Sequence, residues 1–327
     1  MEDLIFSINA VLPIVLTVCV GYFLRRSGIL PRTATGVMNR LVFRVFLPAM
    51  LFLNVYKIQG FGETSFGYIF YVLIFTTCVF FAGIPLVGLI TKDHRQKGPI
   101  LQGIFRSNYA LVGIPLASSL FGDEGGAVAT VLSAFFVPLL NVLSVVALSI
   151  FQKKDDRKPD PLGLLAGIGK NPLIQAIAMG FCALLLRGIF EKCGIAFRLT
   201  DVKPVYSVLS SLSAVATPLS LITLGAQFEF SAVPSLKKQI LWTVFARSLL
   251  IPCIALSIAY AMGRFSGAHF AAFLAAYVTP VAVSSVPMAQ EMDADAALAG
   301  QLVVWSTLIS GFTLFASTFI LKTVGVF

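Results

Sequence analysis

Charge is scarce in this chain, and negative charge is scarcest. Only 12% of its 327 residues are charged, against about 25% in an ordinary soluble domain. The fifteen acidic residues fall in connecting segments or near the ends of apolar runs, with Glu229 and Glu291 lying closest to one. A pathway of buried carboxylates, the usual device for passing protons or sodium through a membrane bundle, is therefore not legible here. The two histidines, His94 and His269, sit in loops or at helix edges, which argues against an intramembrane histidine relay or metal site. Five cysteines are scattered (Cys19, Cys78, Cys182, Cys193 and Cys253) with no Cys-x-x-Cys. Neither a disulfide framework nor a zinc site fits that spacing, and small buried hydrophobes are the plainer reading. No Gly-x-x-x-x-Gly-Lys loop is present, which argues against an ATP-driven pump within the chain. No cofactor and no catalytic constellation is expected. The first apolar run starts at Leu4 behind Glu2 and Asp3, without the basic leader of a cleavable signal, and reads as a spanning helix.

What fills the chain is apolar. Hydrophobic residues make up 57% of it and mean hydropathy is +0.91. Apolar runs recur at the roughly 20 residues needed to cross a bilayer, and 125–151 carries no charge at all. The expected fold class is an all-α polytopic membrane protein. Ten helices are predicted near 4–24, 35–56, 66–91, 99–120, 126–151, 172–190, 204–227, 237–262, 268–290 and 296–321. The polar segment 152–171, with Lys153, Lys154, Asp155, Asp156, Arg157 and Lys158, separates 1–151 from 172–327, five helices from five. It is expected to be a cytoplasmic linker loop.

The net charge of +9 points to topology rather than to nucleic acid. Thirteen basic residues fall in one set of loops, around Arg25, Lys92, Lys153 and Lys237, against seven in the opposite set. The richer set faces the cytoplasm, which places both termini outside a cell membrane. An odd number of helices per half means that the halves insert in opposite orientations. Internal echoes agree with such inverted repeats: Pro13 and Pro172 each precede a glycine by eight residues, and Pro115 and Pro287 each precede an aspartate, Asp123 and Asp295, by eight.

Two apolar segments are interrupted by prolines and small residues: Arg106-Ser107-Asn108-Tyr109-Ala110-Leu111-Val112-Gly113-Ile114-Pro115, and Thr279-Pro280-Val281-Ala282-Val283-Ser284-Ser285-Val286-Pro287. A proline removes a backbone donor and clashes with the carbonyl four residues back, so Pro115 and Pro287 are expected to strand the carbonyls of Leu111 and Val283. Such groups need a protein partner or a wet cavity inside a membrane. Paired broken helices in matching halves are the best sequence pointer to a carrier's binding site. The amide ends of the half-helices suit an anion, Asn108 adds a neutral donor, and Ser284 and Ser285 offer hydroxyls. Gly113 permits close backbone approach.

Each of these residues has a plainer alternative. Asn108 could cap a half-helix, and Ser284 or Ser285 could bond back to its own helix. Asn141 could line the same cavity or join two helices. Arg106 and Arg247 are the basic residues nearest helix interiors and could attract the anion. Arg106 is expected to snorkel toward the cytoplasmic face, whereas Arg247 needs an aqueous or anionic partner. Arg40 and Arg44 are expected to meet lipid headgroups.

Taken in order, the residues resemble the auxin efflux carrier family, which includes plant auxin exporters and bacterial carriers often labelled malonate or malate transporters. Asn108-x-x-x-x-Gly113-Ile114-Pro115 resembles the family's fourth helix, and Asn39 to Phe52 its second. Lys170-Asn171-Pro172-Leu173-Ile174 is similar to the opening of its second half, 216–226 to its seventh helix, and Pro280 to Thr307 to its last two. The resemblance implies ten helices as two inverted five-helix repeats, with helices 4 and 9 broken at a proline crossover. It also implies a carboxylate substrate beside that crossover with Asn108 among its contacts; Pro115 and Pro280, at the breaks themselves, are counted among the candidate substrate-site residues. Family members often work as homodimers. The short 152–171 segment departs from plant exporters and favours a bacterial-type carrier. The reading is thus a secondary carrier of a small organic anion, a mono- or dicarboxylate, with coupling to protons or sodium left open. A cation/proton antiporter of similar fold and a non-transporting receptor are the alternatives.

Overall fold

The computed structural model describes residues 2–57, 66–152, 161–265 and 267–327. It is almost wholly helical: α1 Glu2–Arg26, α2 Arg32–Leu41, α3 Leu47–Tyr56, α4 Phe66–Ile90, α5 His94–Phe105, α6 Ile114–Ile150, α7 Pro161–Gly169, α8 Pro172–Lys192, α9 Lys203–Gln227, α10 Val233–Phe245, α11 Ile251–Met262, α12 Gly267–Tyr277, α13 Ser285–Glu291 and α14 Ala296–Thr323. No sheet occurs among the described residues; one isolated antiparallel bridge joins Ser107 to Val281.

Seven helical runs among the described residues are long and apolar enough to cross a membrane. Large apolar side chains face outward on them, Phe312 at 79% exposure and Leu89 at 75%, an arrangement that suits hydrocarbon and not water. The chain is a multi-pass membrane protein. Its longest run, Tyr109–Ile150, is 42 residues, and α6 alone would extend about 55 Å against a hydrocarbon core of about 30 Å. A kink at Phe121 and Gly122, where Gly122 takes φ 55°, divides it. The expected boundary between the fourth and fifth helices thus falls at a kink inside α6. The segment expected to be a polar loop contains the nine-residue α7; Lys153 to Lys158 lie outside the described residues.

Prolines write a repeated local signature. Three π turns occur among the described residues, at Val42–Phe46, Tyr109–Gly113 and Ala246–Leu250, and each ends two residues before a proline: Pro48, Pro115 and Pro252. The proline cannot donate and its ring displaces the carbonyl four residues earlier. Widening the preceding turn by one residue accommodates the displacement without breaking the helix. Thus α2 runs on into α3 and α10 into α11. Pro287 behaves differently. It lies within the first turns of α13, and Val283, whose carbonyl was expected to be stranded, accepts from the Val286 amide at 3.2 Å. The chain is broken earlier, over 278–284, because Pro280 sits where α12 would continue.

Two apolar cores organise the bundle. One collects α4, α5, α10, α11, α12 and much of α6 and α14, including Tyr109 and Tyr277. The other collects α1, α3, α8, α9 and α13, with Val112 and Val281. Close approach in the second is set by glycine: a Cβ on Gly21 of α1 would strike the Ile222 carbonyl of α9, and one on Gly225 that of Val18. The second broken helix passes from the first core to the other at its break, from α12 to α13, whereas the first broken helix keeps Leu116 and Ala117 of α6 in the same core as α5 and touches the other through Val112.

Candidate functional site

The two breaks meet. Beside the Ser107–Val281 bridge, the Asn108 amide donates to the Pro280 carbonyl at 2.8 Å, and the Val281 amide donates to Ser306 Oγ of α14 at 3.0 Å. Backbone opened by one break is therefore satisfied by the other and by a neighbouring helix, as a water-poor interior demands.

Two half-helices end here, α5 and α12, and their last carbonyls converge on one side chain. Arg247, 1% exposed within the π turn ahead of Pro252, donates through Nε and Nη2 to the Thr279 carbonyl at 3.1 and 2.8 Å. It also donates through Nη2 to that of Ala276 at 3.1 Å and through Nη1 to that of Phe105 at 3.3 Å. Helix C-termini carry the negative end of the backbone dipole, so this buried guanidinium meets partial negative charge on two helices. The partner Arg247 was expected to need is a set of carbonyls.

Arg106 lies where α5 stops and is 2% exposed. The expectation that it snorkels to a surface is overturned: α6 and α13 wall it in. Its Nη2 donates to Asn141 Oδ1 and to Ser284 Oγ, both at 2.8 Å, and its Nη1 donates to the Met288 sulfur. All three acceptors are neutral, and no carboxylate pairs with Arg106 among the described residues. Asn141 is fixed for this task, since its own Nδ2 donates to the Val137 carbonyl of its helix at 2.8 Å. Asn141 therefore bonds both along its helix and across to Arg106.

Asn108 precedes the π turn and its side chain makes no cap hydrogen bond, so the capping alternative does not hold. Its Nδ2 is buried without a partner, as are the hydroxyls of Ser107 and Ser285. Three polar groups within a few residues of the crossing are thus unpaired, which is unusual for buried groups and calls for a cause. Neither Ser284 nor Ser285 bonds back to its own helix among the described residues. Pro280 is buried in the crossing, whereas Pro115 is exposed. Pro115 borders a cavity of about 640 Å³ with Leu111, Val112, Met50, Thr17 and Thr217. Gly113 serves packing, since a Cβ there would lie 3.1 Å from both the Cβ and the carbonyl oxygen of Ala275 on α12.

Sequence reasoning missed Ser107 and Met288, whose side chains carried no signal beyond their nearness to the breaks. Arg40 and Arg44, expected at headgroups, lie 4.0 and 3.8 Å from the Glu291 carboxylate while remaining two-thirds exposed.

A multi-pass helical bundle with two broken helices meeting beside a buried, unpaired arginine has the build of a membrane carrier, and the comparisons agree. The chain belongs to the membrane transport protein family, whose model matches residues 6–160 and 165–317, the auxin efflux carrier family of the resemblance. It is 24% identical over 315 residues to an uncharacterized transporter of Methanothermobacter thermautotrophicus, covering 93% of this chain and 95% of the relative. It is 25% identical over 249 residues to one of Methanocaldococcus jannaschii, covering 73% of each. To the uncharacterized transporter YfdV of Escherichia coli K12 it is 23% identical over 297 residues, covering 89% and 90%.

Proposed function

We propose that this membrane transporter is a secondary carrier of a small organic anion, a mono- or dicarboxylate of the malonate or malate kind. In this reading the site alternates access at the crossing of the two broken helices. The observation that carries the proposal is Arg106: a buried guanidinium held only by neutral oxygens and a sulfur. A buried charge without a counter-charge costs several kcal/mol, and a carboxylate brought in by the substrate removes that cost. Arg106 supplies the charge. Asn108 Nδ2 and the hydroxyls of Ser107, Ser284 and Ser285 donate to the anion's oxygens, and the first amides of the run starting at Tyr109 point back toward it. Asn141 holds Arg106 in place. Arg247 fastens the half-helices and does not contact the anion.

The same proposal includes the finer architecture. Ten spans form two inverted repeats, 1–151 and 172–327, joined by a cytoplasmic linker at 152–171, with the kinked α6 counted as the end of one span and the whole of the next. The carrier lies in the cell membrane with both termini outside. The division into two apolar cores, crossed by the second broken helix between α12 and α13, supports movement of one helix group against the other.

The test is uptake of labelled malonate, malate and other small carboxylates into proteoliposomes under separately imposed pH and sodium gradients. Saturable uptake that Asn108→Ala lowers at least tenfold is expected. Absence of flux for every acid, from protein shown to be folded, would overturn the reading, and a pH-driven cation flux without organic anion would put an antiporter in its place.

A further inference from the structure

A second group of polar side chains, one buried and two half-buried, lies at the C-terminal end of α13. Asn39 of α2, fully buried, donates through Nδ2 to Gln227 Oε1 at the end of α9 at 3.1 Å and also to Gln290 Oε1 of α13. Gln227 Nε2 donates to the same Gln290 oxygen at 3.1 Å. Two carboxamide oxygens from different helices thus converge on one amino group. The oxygen of that same amide, Asn39 Oδ1, is buried with no hydrogen-bond partner among the described residues. A cavity of about 390 Å³ opens beside the cluster, lined by Thr35, Gln227, Glu229, Gln290 and Gln301, with no lysine or arginine in its wall.

We propose that Asn39, Gln227 and Gln290 form a binding site for a small monovalent cation of the sodium class, reached through this cavity. The amino group of Asn39 faces two amide oxygens, the pair that a cation seated beside it would also face. Turning the Asn39 amide about its last side-chain bond replaces the amino group by Oδ1 and gathers three oxygens around one point. Three such dipoles repel one another unless a cation lies among them, and with one there the orphaned oxygen gains a partner. The donor set selects the ion. Hard oxygen ligands exclude soft metals. Calcium and magnesium sites draw on carboxylates, whereas the cavity offers a single one, Glu229, at its exposed rim. Arg40 and Arg44 face Glu291 on the outer surface, two cations to one carboxylate, and both are two-thirds exposed, where solvent screens their charge. The site bears on transport through α13: the helix that supplies Gln290 is preceded by Ser284, the oxygen bonded to Arg106.

The proposal goes beyond the anion reading and is tested without any organic anion, so either can fail alone. Thermal unfolding of the purified protein is followed in sodium, lithium, potassium and choline chloride at constant ionic strength. Sodium is expected to raise the midpoint saturably by several degrees over choline, as a ligand that binds only the folded state must. Gln227→Glu, which adds charge to the oxygen set, is expected to lower the half-saturating sodium concentration about tenfold, and Asn39→Ala to remove the sodium response. Equal midpoints in sodium and choline would overturn the site. So would an unchanged half-saturation in Gln227→Glu, which keeps the idea testable should Asn39→Ala fail to fold.

Discussion

Two arginines are buried within the same crossing, and their surroundings assign them opposite work. Arg247 makes four hydrogen bonds, all to backbone carbonyls at the ends of two half-helices. Its charge answers the dipoles that the chain breaks create, and nothing further is needed from outside. Arg106 makes three, to an amide oxygen, a hydroxyl and a thioether, none of which carries a charge. A membrane protein can hold a buried cation either by matching it internally or by leaving the match to a ligand. In the proposed reading one residue follows each course. Burial alone therefore says little about role; the acceptors decide it.

That contrast can be broken most severely at Arg247. Arg247→Gln leaves carbonyls of Phe105, Ala276 and Thr279 unpartnered in a dry interior and should destabilise the protein by about 3–5 kcal/mol, seen as loss of monodisperse protein and a lower unfolding midpoint. Arg247→Lys should recover only part, because an ammonium cannot fork across three carbonyls. Arg106→Gln should do the reverse. It retains a donor for Asn141 and Ser284, so the midpoint should move little, while carboxylate flux falls about a hundredfold or more. Asn108→Ala removes a donor that has no partner in the protein; stability should stay within about 0.5 kcal/mol, with flux down about tenfold. Asn108→Asp should lower flux further by repelling the anion. The smallest effect on flux is expected at Gly113→Ala, where crowding against Ala275 should cost about 1 kcal/mol of stability and leave flux per folded molecule nearly unchanged.

That the chain is a helical, multi-pass membrane protein was legible because apolar runs report directly on the bilayer, and the breaks because proline and small residues have few other uses in such runs. The direction of the arginines was not. Arg106 sits at a helix end, where sequence gives no sign whether the side chain turns outward or inward; three acceptors 35 to 182 residues away decide it. Arg247 likewise takes its carbonyls from segments 29 to 142 residues distant. Asn39, Gln227 and Gln290 are separated by up to 251 positions, and singly each reads as an amide near a helix end. Proline misled in one respect. Pro115 and Pro287 occupy similar motifs, but the first is absorbed by a π turn and the second sits in the opening turns of a helix, where its missing donor costs nothing.

The most direct measurement compares Arg106→Gln with the wild-type protein in one preparation, reading labelled carboxylate uptake into proteoliposomes beside the unfolding midpoint. Uptake lost with the midpoint held is the result expected if Arg106 keeps its charge for the substrate. Uptake at the wild-type rate in folded Arg106→Gln protein would contradict it, and would reduce Arg106 to a second structural pin.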